Sequence, residues 1–179
     1  MNTHVDPLLQ YPIGKFEWIE HPSRKEIKTA ISTLEEFPLI LKSTVSDLSK
    51  DILLKKYRPD AWNIAQVVHH IADSHMHSYL RIKHALLEEN PHIKDYHEVD
   101  WAKTEDATNI DLSYSLDLIE ALHKRWSLFL KSLSTKEIMK TYFHPERNKK
   151  YTIGTTVLIY AWHCDHHLAH IYNAIRKGN

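Results

Sequence analysis

The sequence predicts an all-α protein, a four-helix bundle preceded by an extended N-terminal arm, on three observations. Four stretches place apolar residues at helical spacing. Capping signals open the first two of them. The 179 residues include only 3 glycines, too few for a turn-rich β architecture and leaving no Gly-rich phosphate loop.

The arm covers residues 1–22. Prolines 7, 12 and 22 surround Tyr11, Phe16 and Trp18, which predicts an extended segment that pins aromatic rings onto the body. Ser23-Arg-Lys-Glu26 reads as a capping box, followed by Ile27, Ala30, Ile31, Leu34 and Phe37 on one helical face. This first helix is expected to reach Leu48 and to bend at Pro38. A second helix starts at Asn63-Ile-Ala-Gln66 and runs to Glu89, where Asn90-Pro91 stops it. Residues 91–110 lack periodicity and read as a long loop. Asp111 opens a third helix through Leu112, Leu116, Ile119, Leu122, Trp126 and Leu130, and Ser134-Thr-Lys-Glu137 caps a short turn. Residues 143–152 read as a polar, hairpin-like connection around His144-Pro145. The last helix is expected from Ile153 to Lys177, with Gly178 as its stop. The whole chain, 1–179, is read as one domain with a substantial core.

Lys+Arg and Asp+Glu each total 23, so the net charge is zero. Nothing in that balance calls for a nucleic acid or an anionic membrane as partner. The one cysteine, Cys164, excludes an intrachain disulfide framework. Residues 1–10 lack a basic segment followed by an apolar run, and no stretch approaches a membrane span, so a cytoplasmic protein is expected.

Histidine is the compositional excess, at 15 residues. The last helix carries Trp162-His-Cys-Asp-His-His-Leu-Ala-His170. Its apolar arc is Ile153, Val157, Tyr160, Cys164, Leu168, Ile171 and Ile175. His167 falls inside the edge of that arc and His163 beside it, while His166 and His170 are expected further round, toward solvent. His163 and His167 stand one turn apart, so their imidazoles can meet one ion. A single inward histidine is more simply a core hydrogen-bonding group. Two together, neutral and unable to satisfy both ring nitrogens, favour a metal. The second helix offers His69, His70, His75 and His77 for a third ligand. Its stripe of Ile64, Val68, Ile71, Tyr79, Ile82 and Leu86 centres on His75, with His70 on the flank, and periodicity alone leaves the choice open with His75 slightly ahead.

Trp62, the run Gln-Val-Val-His-His-Ile-Ala-Asp-Ser-His-Met over 66–76, and Trp-His-x-x-His-His-x-Ala-His-Ile over 162–171 resemble the DinB/YfiT-like superfamily, closest to its YfiT branch of metal-dependent hydrolases and bacillithiol transferases. Tyr11-Pro-Ile-Gly14, Leu122-His-x-Arg-Trp126 and His144-Pro145 extend the resemblance over most of the chain. The resemblance implies a DinB/YfiT-type bundle and metal ligands at His70, His163 and His167. His75 then becomes a core or supporting histidine.

Three imidazoles leave a tetrahedral ion one open position, which points to catalysis rather than to a structural zinc. Such an ion can activate a water or a thiol. Imidazole suits zinc, nickel, copper and iron, and one divalent ion per chain, zinc or nickel first, is the expectation. Hydrolysis and transfer of a low-molecular-weight thiol to an electrophile both fit. Hydrolysis needs a general base, and no glutamate falls on the ligand faces, so thiol transfer is slightly favoured. The alternative is a metal-binding or stress-response bundle without turnover. Glu120-Ala-Leu-His123 matches the Glu-x-x-His of di-iron bundles but has no second copy, which leaves a surface glutamate and an incidental helix histidine. Cys164 reads as a buried small hydrophobe, and Trp62, Trp101, Trp126 and Trp162 as packing residues that could line a pocket. Asp73 could orient a ligand or simply face solvent. A second stripe of Ala65, Met76, Leu80 and Leu87, with the dimeric state the resemblance implies, predicts a homodimer.

Overall fold

A computed structural model describes residues 7–176. The elements are α1 (Pro7–Gln10), α2 (Arg24–Val45), α3 (Lys50–Leu53), α4 (Ile64–Leu87), α5 (Glu98–Trp101), α6 (Ser113–Lys131), α7 (Thr135–Ile138), β1 (Thr141–His144), β2 (Lys149–Thr152) and α8 (Ile153–Arg176). Among these residues, no helix is long and apolar enough to cross a membrane.

The capping boxes at Ser23/Glu26, Asn63/Gln66 and Ser134/Glu137 form in both directions, side chain to backbone and back, and fix the starts of α2, α4 and α7. Each long helix then buries one face. Leu34, Phe37 and Leu41 of α2, Val68, Ile71 and Ile82 of α4, Ile119, Trp126 and Leu130 of α6, and Val157, Cys164 and Ile171 of α8 meet in one apolar cluster. Helix α2 packs on α6 and α8, and α4 packs on the same two. Going round the bundle, the order is therefore α2, α6, α4, α8, so α2 and α4, consecutive long helices, sit on a diagonal.

Several expectations need correction. The arm opens with one turn of helix, α1, because Pro7 fits a first helical position. It then runs extended, pinned by Phe16 edge-on to Trp162 (6.2 Å between ring centroids) and by Trp18 edge-on to Tyr151 (4.9 Å). Helix α2 ends at Val45, three residues short of Leu48, and Pro38 lies inside it. The connection over 143–152 is a true antiparallel hairpin pairing Thr141 with Thr152 and His144 with Lys149. Two four-residue strands, the second opening on Lys149 and Lys150, give almost no alternating pattern. The loop over 91–110 carries α5 and is tied to β1 by Ile93 N–H donating to the Phe143 carbonyl (3.1 Å) and Phe143 N–H donating to the Pro91 carbonyl (2.9 Å). The stop at Gly178 and the first six residues of the arm lie outside the described residues.

Candidate metal centre

The three ligand candidates come from two neighbouring helices. His70 is in the second turn of α4, and His163 and His167 face it from the middle of α8. Their Nε2 atoms converge: His163 Nε2 lies 3.4 Å from His70 Nε2 and 3.1 Å from His167 Nε2. Tetrahedral ligands at zinc-like bond lengths of 2.0–2.1 Å stand about 3.3 Å apart, so the spacing fits one ion. It fits a metal-free trio less well. The one lone pair of His163 Nε2 serves a single donor, while two nitrogens face it.

The His163 lone pair is aimed by a hydrogen-bonded chain through the core. The Leu34 carbonyl on α2 can only accept, so His123 Nδ1, 2.6 Å away, carries the proton and His123 Nε2 accepts. His75 Nδ1 therefore donates to His123 Nε2 (2.7 Å), and His75 Nε2 accepts from His163 Nδ1 (2.9 Å). His163 is held as the Nδ1–H tautomer with Nε2 free toward His70 and His167. Burial keeps these rings neutral. It holds His70 down to about 3, aided by the nearby His166, and His123 down to about 4 against the Leu34 hydrogen bond. His75, His163 and His167 lie well below the ordinary histidine value, first from burial and then from neighbouring histidines, His123 first on His75, His70 first on His163 and His163 first on His167.

A cavity of about 350 Å³ opens in front of the trio, within the size range of small-molecule sites. Trp62, 4.6 Å from the His70 ring, and Trp162 give it aromatic walls. The remaining wall comes from outside the bundle: Tyr96 and Glu98 from the loop after α4, and His144, Glu146 and Arg147 from the hairpin. Arg81, three turns down α4 from His70, also lines it. The hairpin turn that presents Glu146 and Arg147 closes through Asn148 at φ 46°, a left-handed position asparagine tolerates.

The sequence expectations distribute as follows. His70, His163 and His167 come together as a group able to hold a metal. His75 is fully buried and stands behind His163. His123, read as incidental, is also fully buried and belongs to the chain of hydrogen bonds, whereas Glu120 pairs outward with Lys124 (2.5 Å). Its place in the run Ile119, His123, Trp126, Leu130 was the available signal. His166 and His170 do not face solvent. They are 7% and 2% exposed, because Trp162 stacks on one and Tyr57 on the other, and the arm covers them. With His167 they make a second group of three close histidines. There His170 Nε2 already donates to the Gln10 carbonyl at 3.2 Å. Cys164 is fully buried, which pushes its thiol up. Asp73 forms no hydrogen bond or ion pair with a ligand histidine; burial, then Asp106, raises it to about 6. Trp126 is core, while Trp101 packs edge-on to Tyr96 and His77. Arg81, Tyr96 and the hairpin residues were missed because nothing in their local pattern marks them.

The profile of the DinB superfamily matches residues 33–171. A relative from Oceanobacillus iheyensis is 45% identical over 94% of this chain and 96% of its own length. YfiT of Bacillus subtilis is 38% identical over 94% and 95%. The chain belongs to the DinB superfamily. Both relatives bear provisional names as metal-dependent hydrolases. The solved structure of Bacillus subtilis YfiT superposes with a TM-score of 0.93 at 38% identity, covering 96% of this chain and 98% of that one. It is described as a probable metal-dependent hydrolase with an unusual four-helix bundle topology. In this DinB-superfamily member α2 and α4 sit on a diagonal of the bundle.

Proposed function

We propose that this protein is a metal-dependent enzyme that holds one divalent transition ion, zinc or nickel, on His70, His163 and His167 and acts on a small molecule in the adjoining cavity. The convergence of His70, His163 and His167, buried and neutral, with the His163 Nε2 lone pair aimed at the other two beside that cavity, is the observation that carries the reading. When bound, the ion supplies a Lewis acid able to make a water or a thiol nucleophilic near neutral pH. The protein's own residues do the rest. Trp62 and Trp162 shield the site from water, and the His75–His123–Leu34 chain fixes the His163 ring. Tyr96, whose hydroxyl burial keeps protonated, offers a donor on the cavity wall.

Two reactions suit this arrangement. In thiol transfer, a low-molecular-weight thiol gives up its proton and forms a carbon–sulfur bond to an electrophile, displacing a leaving group. Hydrolysis is the second reading, favoured by the names of the relatives and by Glu98 and Glu146 on the cavity wall as proton acceptors. Thiol transfer stays ahead because, among the described residues, no carboxylate joins the histidine trio itself. The homodimer is also proposed, on a smaller surface than the sequence suggested. Ala65 is buried in the core, leaving Leu80 and Leu87 exposed at 48% and 77%.

Elemental analysis of the untagged protein beside His70→Ala, His163→Ala and His167→Ala tests the centre. About one ion per chain, lost in all three folded variants, supports it; retention in His70→Ala overturns the ligand set. Loss of free thiol with an aryl halide, run against release from an ester panel, then separates the reactions. Bound metal with neither turnover leaves a non-catalytic metal-binding bundle.

A further inference from the structure

Arg81 sits on the cavity wall in an unusual state for an arginine. It is only 9% exposed, and its Nε is fully buried with no hydrogen-bond partner. Among the described residues no aspartate or glutamate pairs with it, although both Glu98 and Glu146 line the same cavity. Its recorded contact is with the Tyr96 ring, 6.0 Å from the guanidinium carbon to the ring centroid. Buried arginines are ordinarily paired, because an isolated buried charge is costly. The charge is felt nearby: burial first and Arg81 second hold both His77 and His144 below the ordinary histidine value.

The geometry also sets a distance. His70, Ser74 and Arg81 share one face of α4, and all three line the cavity. Eleven residues of helix separate His70 from Arg81, about 16 Å of axial rise. A helical arginine leans back toward the N-terminus, so its guanidinium closes part of that gap. We propose that Arg81 binds a carboxylate of the substrate, so that the pocket takes small carboxylate-bearing molecules whose reacting group lies several bonds away, at the three histidines. A guanidinium fork suits a carboxylate in two parallel hydrogen bonds. Glu98 and Glu146 on the same wall make a dianionic phosphate the poorer match. The identity of the reacting group rests on the function proposed above; the anion site rests on Arg81.

Calorimetric titration of the purified, metal-containing protein tests it with matched probes. 6-Mercaptohexanoate and 6-mercaptohexanol carry the same thiol on the same length of chain with and without a carboxylate, and hexanoate carries the carboxylate without the thiol. Wild type is expected to bind 6-mercaptohexanoate at least tenfold more tightly than 6-mercaptohexanol, and Arg81→Gln to close that gap with metal content retained. Equal affinities in wild type, or an unchanged ratio in Arg81→Gln, overturn the proposal. Should Arg81→Gln fail to fold, Arg81→Lys, which keeps the charge and loses the fork, is expected to narrow the ratio, and an undiminished ratio there counts against it. Inorganic phosphate binding more tightly than hexanoate overturns the choice of carboxylate. Arg81-dependent binding of hexanoate, with no gain from adding the thiol, keeps the anion site and removes thiol transfer instead.

Discussion

His75 Nδ1 and His123 Nε2 face each other at 2.7 Å across α4 and α6, well behind the atoms that would touch an ion. Removing the acceptor, as in His123→Phe, frees His75 to take the other tautomer and so releases His163. Metal affinity is expected to fall about 10- to 100-fold, read by competition with a chromophoric chelator. Nitrogen NMR of the imidazoles checks the cause: His163 is Nδ1-protonated in the wild type and mixed in the variant. A variant that binds metal normally would remove the chain from the ligand-positioning role.

Acid is expected to unfold the metal-free protein cooperatively. In the unfolded chain histidines take up protons near pH 6.5, whereas burial holds His70 and His170 to about 3, and His123 and His166 to about 4. The stability is therefore present above pH 6.5 and lost as the pH falls from there toward about 4. His123 alone contributes roughly 3 kcal/mol to that loss. Far-ultraviolet circular dichroism along a pH titration reads it, and a helix signal unchanged at about pH 4 would contradict it.

Asp73 is expected to work in the opposite direction. Its carboxyl is raised to about 6, so the folded chain holds the proton more tightly than the unfolded one does. Whatever stability follows is present below pH 4 and lost as the pH rises through about 6. Asp73→Asn should gain roughly 1 kcal/mol at neutral pH, a figure lowered for its partial exposure, and nothing near pH 4. Thermal melts at both values decide it.

Gly154 opens α8 where the chain leaves the hairpin. A Cβ there would stand 2.9 Å from both Ile138 Cγ2 and Pro22 Cγ, and 3.2 Å from Ile27 Cδ1. Gly154→Ala is expected to cost about 1–3 kcal/mol through overpacking, despite the better helix propensity of alanine. Urea denaturation measures the change, and a stabilised variant would show that α7 and the arm yield freely.

The four long helices were legible because capping and periodicity are local, and three capping boxes mark their starts or turns in the sequence itself. The pair His163 and His167 was legible for the same reason. Between His70 and His75 the helical wheel slightly favoured His75, whereas the group of three close histidines in the structure takes in His70. Periodicity measures burial, and His75 is the more buried of the two, at 0% against 8%. A ligand serving an open coordination position belongs at the margin of the core, where substrate can reach it. The burial of His166 and His170 was hidden because the arm that covers them lies about 150 residues away in sequence. The cavity wall was hidden too, since Tyr96, Glu146 and Arg147 reach it from a loop and a hairpin with no periodic signature.

The chain from Leu34 through His123 and His75 to His163 visits α2, α6, α4 and α8 in their spatial order. On the proposed ligand set α2 provides no ligand, yet it provides the oxygen that fixes the tautomers of His123, His75 and His163. During synthesis, a chain lacking residues 153–176 would then hold a single ligand, too few to retain an ion. A finished chain with α2 undocked would hold three, with the His163 ring no longer fixed. Tight loading would thus await the complete bundle, making the bound ion a marker of finished assembly. Partly assembled chains would surrender metal to any competing chelator around them.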